Sequence, residues 1–180
     1  LYARLAEVRK PGSVVSSNTS TIPLSELMGA MPASLRPDFV ITHFFNPPRY
    51  MRLLELVTGP ETSAQTVEKI TVFCDVILGK SVIACRDTPG FIANRIGTYW
   101  IQTALVLAMD MGIEIEAADA IMGKPMGFPS TGVFGLMDLV GIDLGPHVNA
   151  SLARLLPAGD AFHAMNRDIP MIGVMIDQGY

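Results

Sequence analysis

The sequence predicts an α/β layer followed by an all-helical domain. Short β-branched or aromatic runs alternate with helical stretches as far as Cys85, the order expected of strands and helices laid on one sheet. Composition then changes at Asp87-Thr88-Pro89-Gly90. Beyond that point apolar residues recur at helical spacing, and no strand pattern returns. The expected domains are therefore 1–87 and 88–180.

Leu1, Leu5 and Val8 stand at helical spacing up to a stop at Pro11-Gly12, so the chain opens in a helix. Ser13 to Ser16 is a short β-branched run that reads as a buried strand, ending in the polar turn Ser17-Asn18-Thr19-Ser20. A helix is expected over Ile22 to Met31, with Pro32 and Pro37 bracketing the next loop. Residues 39–45, FVITHFF, form the second strand. Asn46-Pro47-Pro48 stops it, because proline cannot donate to a sheet ladder. Leu53 to Val57 is the third strand, closed by Gly59-Pro60.

Ser63 is placed to cap a helix whose apolar face is Val67, Ile70, Phe73, Cys74, Ile77 and Leu78, with Gly79 as its stop. Ser81 to Cys85 is the fourth strand. Phe91 to Met111 contains no breaker and predicts one long helix ended by Gly112. Further helices are expected at 116–122, 133–139, 144–155 and 170–178, separated by Gly/Pro turns.

Bulk properties exclude several classes. A net charge of -4 with three histidines offers no basic stripe for nucleic acid. The longest apolar runs, such as 104–109, fall far short of the roughly 20 residues that span a bilayer. No secretory leader pattern is visible in LYARLAEVRKPG. Cys74 and Cys85 stand in no metal or CxxC spacing and read as reduced thiols of a cytoplasmic protein. The first residue is not methionine, the chain opens in mid-pattern, and the mean hydropathy is +0.38. Together these suggest a piece of a longer protein.

His43 closes one expected strand and Glu55 lies in the middle of the next. If those strands pair across the Asn46–Arg52 connection, the two side chains can face each other. A carboxylate beside an imidazole orients the ring and stabilises its cation, as a general base needs when it deprotonates an alcohol. Asn46 sits in the proline-fixed turn just beyond, where a rigid amide could hold a ligand. On spacing alone, a single histidine in an aromatic strand reads more readily as a hydrogen-bonded core residue. A metal site is less favoured still: His43, His147 and His163 share no ligand spacing.

The Ser16–Ser20 cluster follows a strand at its carboxyl end, the edge where open α/β sheets bind ligands. Its hydroxyls and amide serve equally well as ordinary turn chemistry. Asn94-Arg95, early in the long helix, reads either as a ligand contact or as a solvated first turn.

Taken in order, SSNTSTIPLSEL, THFFNPPRYMRLLELV and RDTPGFIANRIGTY resemble the 3-hydroxyacyl-CoA dehydrogenase family. PMGFPSTGVFGLMDLVGID resembles the helical domain of the same family. The match runs from about Gly12 to about Asp143 and thins beyond. The NPPRYMRLLEL wording looks more like the long bacterial members that carry a fused enoyl-CoA hydratase-like domain.

This resemblance implies the C-terminal part of a Rossmann-type NAD-binding domain followed by a helical domain. It implies NAD as cofactor, an acyl-CoA substrate, oxidation of 3-hydroxyacyl-CoA to 3-oxoacyl-CoA in fatty acid β-oxidation, and a homodimer formed through the helical domain. By the same resemblance His43 matches the catalytic base and Glu55 its acidic partner. Ser20 matches a contact to cofactor and substrate, Asn46 a cofactor-side asparagine and Asn94 a substrate-side one.

Two departures stand out. No G-x-G-x-x-G turn occurs in the chain, so NAD binding and activity by the chain alone are not expected. Gly127 to Gly132 differs from the usual wording of the short enzymes, which leaves the substrate pocket open. Two rival readings stand beside the enzyme. One is a non-catalytic helical docking or dimerisation module with a structural α/β remnant. The other is a different NAD enzyme using a lysine or cysteine base, for which Lys80 and Lys124 sit only at helix ends.

Overall fold

The computed structural model describes residues 1–20, 22–128 and 130–179. Thr21 of the serine-rich string, Pro129 of the PMGFPSTG string and Tyr180 at the chain's close lie outside the described residues. The chain divides into two units, Leu1–Ile92 and Ala93–Tyr180.

The first unit is built on a four-stranded mixed sheet in the order β1 (Val15–Ser17), β2 (Phe39–Phe44), β3 (Leu53–Val57), β4 (Ser81–Cys85). β1 and β2 are parallel, β2 and β3 antiparallel, and β3 and β4 parallel. The carboxyl ends of β1 and β2 therefore share one edge of the sheet. Side chains alternate across it, as the two-residue period requires.

One face gathers Phe39, Ile41, Val57, Cys85 and Phe91 against Leu24 and Met28 of α2 (Leu24–Gly29). Tyr2 and Ala6 of α1 (Tyr2–Val8) pack on the same cluster. The opposite face joins Val40, Leu54 and Leu56 to Val67, Ile70 and Cys74, the first two carried by α3 (Ala64–Val72).

Local chemistry explains these boundaries. Ser63 Oγ accepts the Thr66 N–H and opens α3 as its cap. Asp87, expected only as part of a boundary, caps α2 from a distance in sequence: Leu24 N–H donates to Oδ1 at 2.6 Å and Ser25 N–H to Oδ2 at 2.9 Å. The opening helix also differs from expectation, because Leu1 and Val8 are exposed while Tyr2 and Ala6 face the sheet.

A larger difference follows α3. Residues Phe73–Ile77 form a π-turn, in which Leu78 N–H reaches back to Phe73 O at 3.1 Å. Widening the helix this way shifts the phase of every later side chain. Cys74 stays buried, whereas Phe73, Ile77 and Leu78, expected on the inner face, are 47%, 69% and 41% exposed.

The second unit is helical among its described residues. It comprises α4 (Ala93–Met111), α5 (Ile115–Ile121), α6 (Phe134–Val140), α7 (Leu144–Leu155), α8 (Phe162–Met165) and α9 (Pro170–Asp177). Gly112 closes α4 with a φ of 62°. Ala104, Leu105 and Val106 of α4 form its core with Val133, Ile169 and Ile172. Gln102 is buried there with both ends used: its Nε2–H donates to Arg167 O and its Oε1 accepts from Asn149 Nδ2, each at 2.7 Å. Asp119 accepts the N–H groups of Phe134 and Gly135 at the start of α6, at 2.7 and 2.9 Å. Arg95 pairs with Asp160. The Phe162 N–H, and then Arg95 and His163, hold the Asp160 carboxyl below the usual carboxylate range, against a smaller opposing effect of burial.

Candidate active site

β2 and β3 form a hairpin in which His43 stands directly opposite Glu55. Directly paired residues carry their Cβ atoms about 5 Å apart on one face, so the sheet itself brings imidazole and carboxylate together. His43 Nδ1–H donates to Glu55 Oε2 at 2.8 Å, and the two side chains are only 5% and 1% exposed. An ionised carboxylate can only accept, so Nδ1 carries the hydrogen and Nε2 bears the lone pair. Nε2 takes no hydrogen bond among the described residues.

The ring is flanked by aromatic neighbours. Phe45 lies edge-on at 4.7 Å between centroids, and Phe91 is tilted at 5.6 Å. Glu55 is held from a second side, because Ile92 N–H donates to Oε1 at 3.0 Å. Cys85 sits on the same face of β4, paired with Val57. Burial first, then the charge of Glu55 and the thiol's hydrogen bond to it, push the Cys85 thiol up to about 11. The thiol therefore stays a neutral donor around neutral pH.

The turn after β1 occupies the edge at which β2 also ends. Thr19 N–H donates to Ser17 Oγ at 3.3 Å, and Ile22 N–H to Thr19 Oγ1 at 3.1 Å. Asn18 Oδ1 accepts the Phe44 N–H at 2.9 Å. Thr42 Oγ1 donates to Ser16 Oγ at 3.0 Å, tying β1 to β2. Half-buried Ser20 follows this turn. Asn46 lies just past β2, exposed, with its peptide to Pro47 cis.

The 46–51 turn is clamped by Lys80, whose Nζ–H donates to Pro48 O and to Met51 O, the latter at 2.8 Å. The ammonium also lies 5.9 Å from the Phe44 ring centroid. Lys80 thus holds the turn that carries Asn46, although its sequence position marks only a helix end. Asn94 falls in the first turn of α4, in the second unit, and is half-buried.

Sequence reasoning brought His43 to Glu55 but missed the Cys85 thiol, the Ile92 amide and the Phe91 and Phe45 rings around them. The string DTPGFI was the available signal for two of these, since Phe91 and Ile92 end it.

Residues 1–88 match the family model described as "3-hydroxyacyl-CoA dehydrogenase, NAD binding domain", and residues 90–177 match "3-hydroxyacyl-CoA dehydrogenase, C-terminal domain". A Rickettsia felis protein bearing the name of a fatty acid oxidation complex trifunctional enzyme is 40% identical over 178 residues, covering 99% of this chain and 25% of that protein. The chain therefore spans about a quarter of that relative's length. Among solved structures, the (S)-3-hydroxybutyryl-CoA dehydrogenase PaaH1 of Ralstonia eutropha is similar with a TM-score of 0.82 and 27% identity, over 98% of this chain and 59% of that one. FadB2 of Mycobacterium tuberculosis gives a TM-score of 0.83 at 25% identity, over 99% of this chain and 60% of that one.

Proposed function

The chain belongs to the 3-hydroxyacyl-CoA dehydrogenase family, and from that premise we propose that it supplies the acid–base centre of an NAD-dependent enzyme. That enzyme oxidises 3-hydroxyacyl-CoA to 3-oxoacyl-CoA in fatty acid β-oxidation. The observation that carries this reading is the buried His43–Glu55 pair at 2.8 Å, with Nε2 left to act as base.

The residues present fit the nicotinamide end of the cofactor. A hydrogen-bonded serine and asparagine turn and the clamped Asn46 turn stand at the sheet edge where β1 and β2 end, the edge at which open α/β sheets bind nucleotides. Ser20 and Asn46 would hold that end. NAD, when bound, supplies the hydride acceptor.

The work of the chain is proton transfer and placement. The substrate's C3 hydroxyl donates a hydrogen bond to His43 Nε2. As the C3–H bonding pair departs as hydride, Nε2 takes the hydroxyl proton and the carbonyl forms. Glu55 offsets the charge that the ring acquires, in a site too buried for water to do so. Ser20 would fix the hydroxyl end so that C3 keeps its reactive orientation, and Asn94 keeps the substrate-side role that the family likeness gives it. In the reverse direction the imidazolium protonates the forming alkoxide.

The same reading makes the first unit the C-terminal part of a Rossmann-type domain and sets the domains at 1–87 and 88–180. It assigns the protein to the cytoplasm. It also makes the helical unit a homodimer contact, supported by exposed Ile96, Met111, Leu139 and Val140.

The experiment is an assay of the complete gene product with NAD and a series of 3-hydroxyacyl-CoA thioesters, following NADH by absorbance. NADH should appear with the thioesters and be lost with the corresponding free 3-hydroxy acids. No NADH from any thioester, or equal rates with the free acids, would overturn the assignment.

A further inference from the structure

Phe91 has a φ of 47°, and among the described residues it alone of the non-glycine residues has a positive φ. It follows Gly90, whose φ is 71°, so two successive residues sit in the left-handed region. Glycine enters that region freely, whereas a residue with a side chain is strained there. A second glycine would remove the strain, yet the position holds a phenylalanine that is only 3% exposed. Strain of this kind persists only where the surroundings over-determine it, and here two sets of contacts do so.

The ring packs into the cluster of Leu24, Ile41, Val57 and Cys85, and its centroid lies 5.6 Å from that of the His43 imidazole. The backbone is fixed by Phe91 N–H donating to Thr88 O at 2.9 Å. The next amide, Ile92 N–H, then meets Glu55 Oε1 at 3.0 Å. A carboxylate pinned at Oε1 cannot rotate about its terminal torsion, so Oε2 stays on His43 Nδ1. The single residue at 91 thus touches both members of the pair, one by its ring and the other through its following peptide.

We infer that Phe91 is a positioning residue of the His43–Glu55 pair: its buried ring anchors the left-handed turn at Gly90-Phe91, and that turn aims the Ile92 N–H at Glu55. This rests on the acid–base reading of the pair given above. It assigns a role to the DTPGFI string, which the proposed chemistry leaves unused.

The test is a double-mutant cycle in the complete gene product, combining Phe91→Ala with Glu55→Gln. Phe91→Leu, which keeps most of the core volume, runs in parallel so that a folding defect in the alanine variant does not decide the result. With the wild-type glutamate, either substitution should lower kcat about tenfold or more while KM for the thioester and for NAD stays within about threefold. In the Glu55→Gln background the same substitutions should change kcat by less than about threefold, because the carboxylate through which Phe91 acts is gone. Equal losses in both backgrounds, or unchanged kcat with the wild-type glutamate, would overturn the role. Should Glu55→Gln alone leave kcat intact, the fault lies with the acid–base reading instead.

Discussion

Replacing Glu55 by glutamine removes the charge and, with the amide oxygen kept on His43, also the acceptor of the Ile92 N–H. The amide oxygen can still accept from His43 Nδ1 at the observed 2.8 Å, so the ring keeps its orientation and Nε2 keeps its lone pair. What disappears is the attraction between a carboxylate and the imidazolium that forms as the proton transfers. With charge centres about 4 Å apart and an effective dielectric of about 20, that attraction is about 4 kcal/mol. The amide dipole recovers part of it, leaving a loss of about 3 kcal/mol specific to the charged transition state, or about two decades in rate. Steady-state NADH formation by the complete gene product should therefore show kcat reduced about 100-fold or more, with KM for the thioester little changed. The fold should survive, as judged by an unchanged far-ultraviolet circular dichroism spectrum. A kcat within about threefold of wild type would refute the reasoning, since a carboxylate buried this deeply cannot be electrostatically silent toward a cationic neighbour.

Cys85 gives a pH-dependent prediction. Its folded thiol is raised to about 11 from an ordinary 9.0, so between those values the native state binds more protons than the unfolded one. Stability is then fully present below about pH 9 and falls as pH rises toward 11, by at most about 2–3 kcal/mol. Urea unfolding at two alkaline pH values, with Cys85→Ser as reference, should show a steeper decline for the wild type; parallel declines would contradict it. Asp87→Ala removes both acceptors from the start of α2 and should lower unfolding free energy by about 1–2 kcal/mol. The same denaturant titration checks this, and an unchanged midpoint would show that the cap is dispensable.

The strands were readable because each β-branched run ends in proline, glycine or a polar turn, and those residues act locally. Opposition of His43 and Glu55 was readable for a related reason. The short connection between them favours a hairpin, and the hairpin makes them a cross-strand pair. The long helix ending at Gly112 needed no more than an unbroken apolar pattern. What the sequence concealed arises from longer range or from backbone geometry. A π-turn at Phe73–Ile77 leaves no compositional trace, so the apolar face drawn with an even helical period drifts off its true side. Asp87 caps a helix 63 residues earlier in sequence, which no local pattern reveals. Lys80 looks like a surface residue at a helix end, yet it is 7% exposed and closes the turn that bears Asn46. The Ile92 contact to Glu55 is a main-chain hydrogen bond, and side-chain identity carries no sign of it. The short α8 helix, at four residues, is below the length at which periodicity means anything.

The most direct measurement is hydride transfer by His43→Ala in the complete gene product, with NAD and a 3-hydroxyacyl-CoA at saturation. If the imidazole takes the hydroxyl proton, kcat falls about 1,000-fold or more while both ligands still bind, because general-base and electrostatic contributions vanish together. Turnover within about tenfold of wild type would contradict the account, and the buried pair would then be a structural element of the sheet.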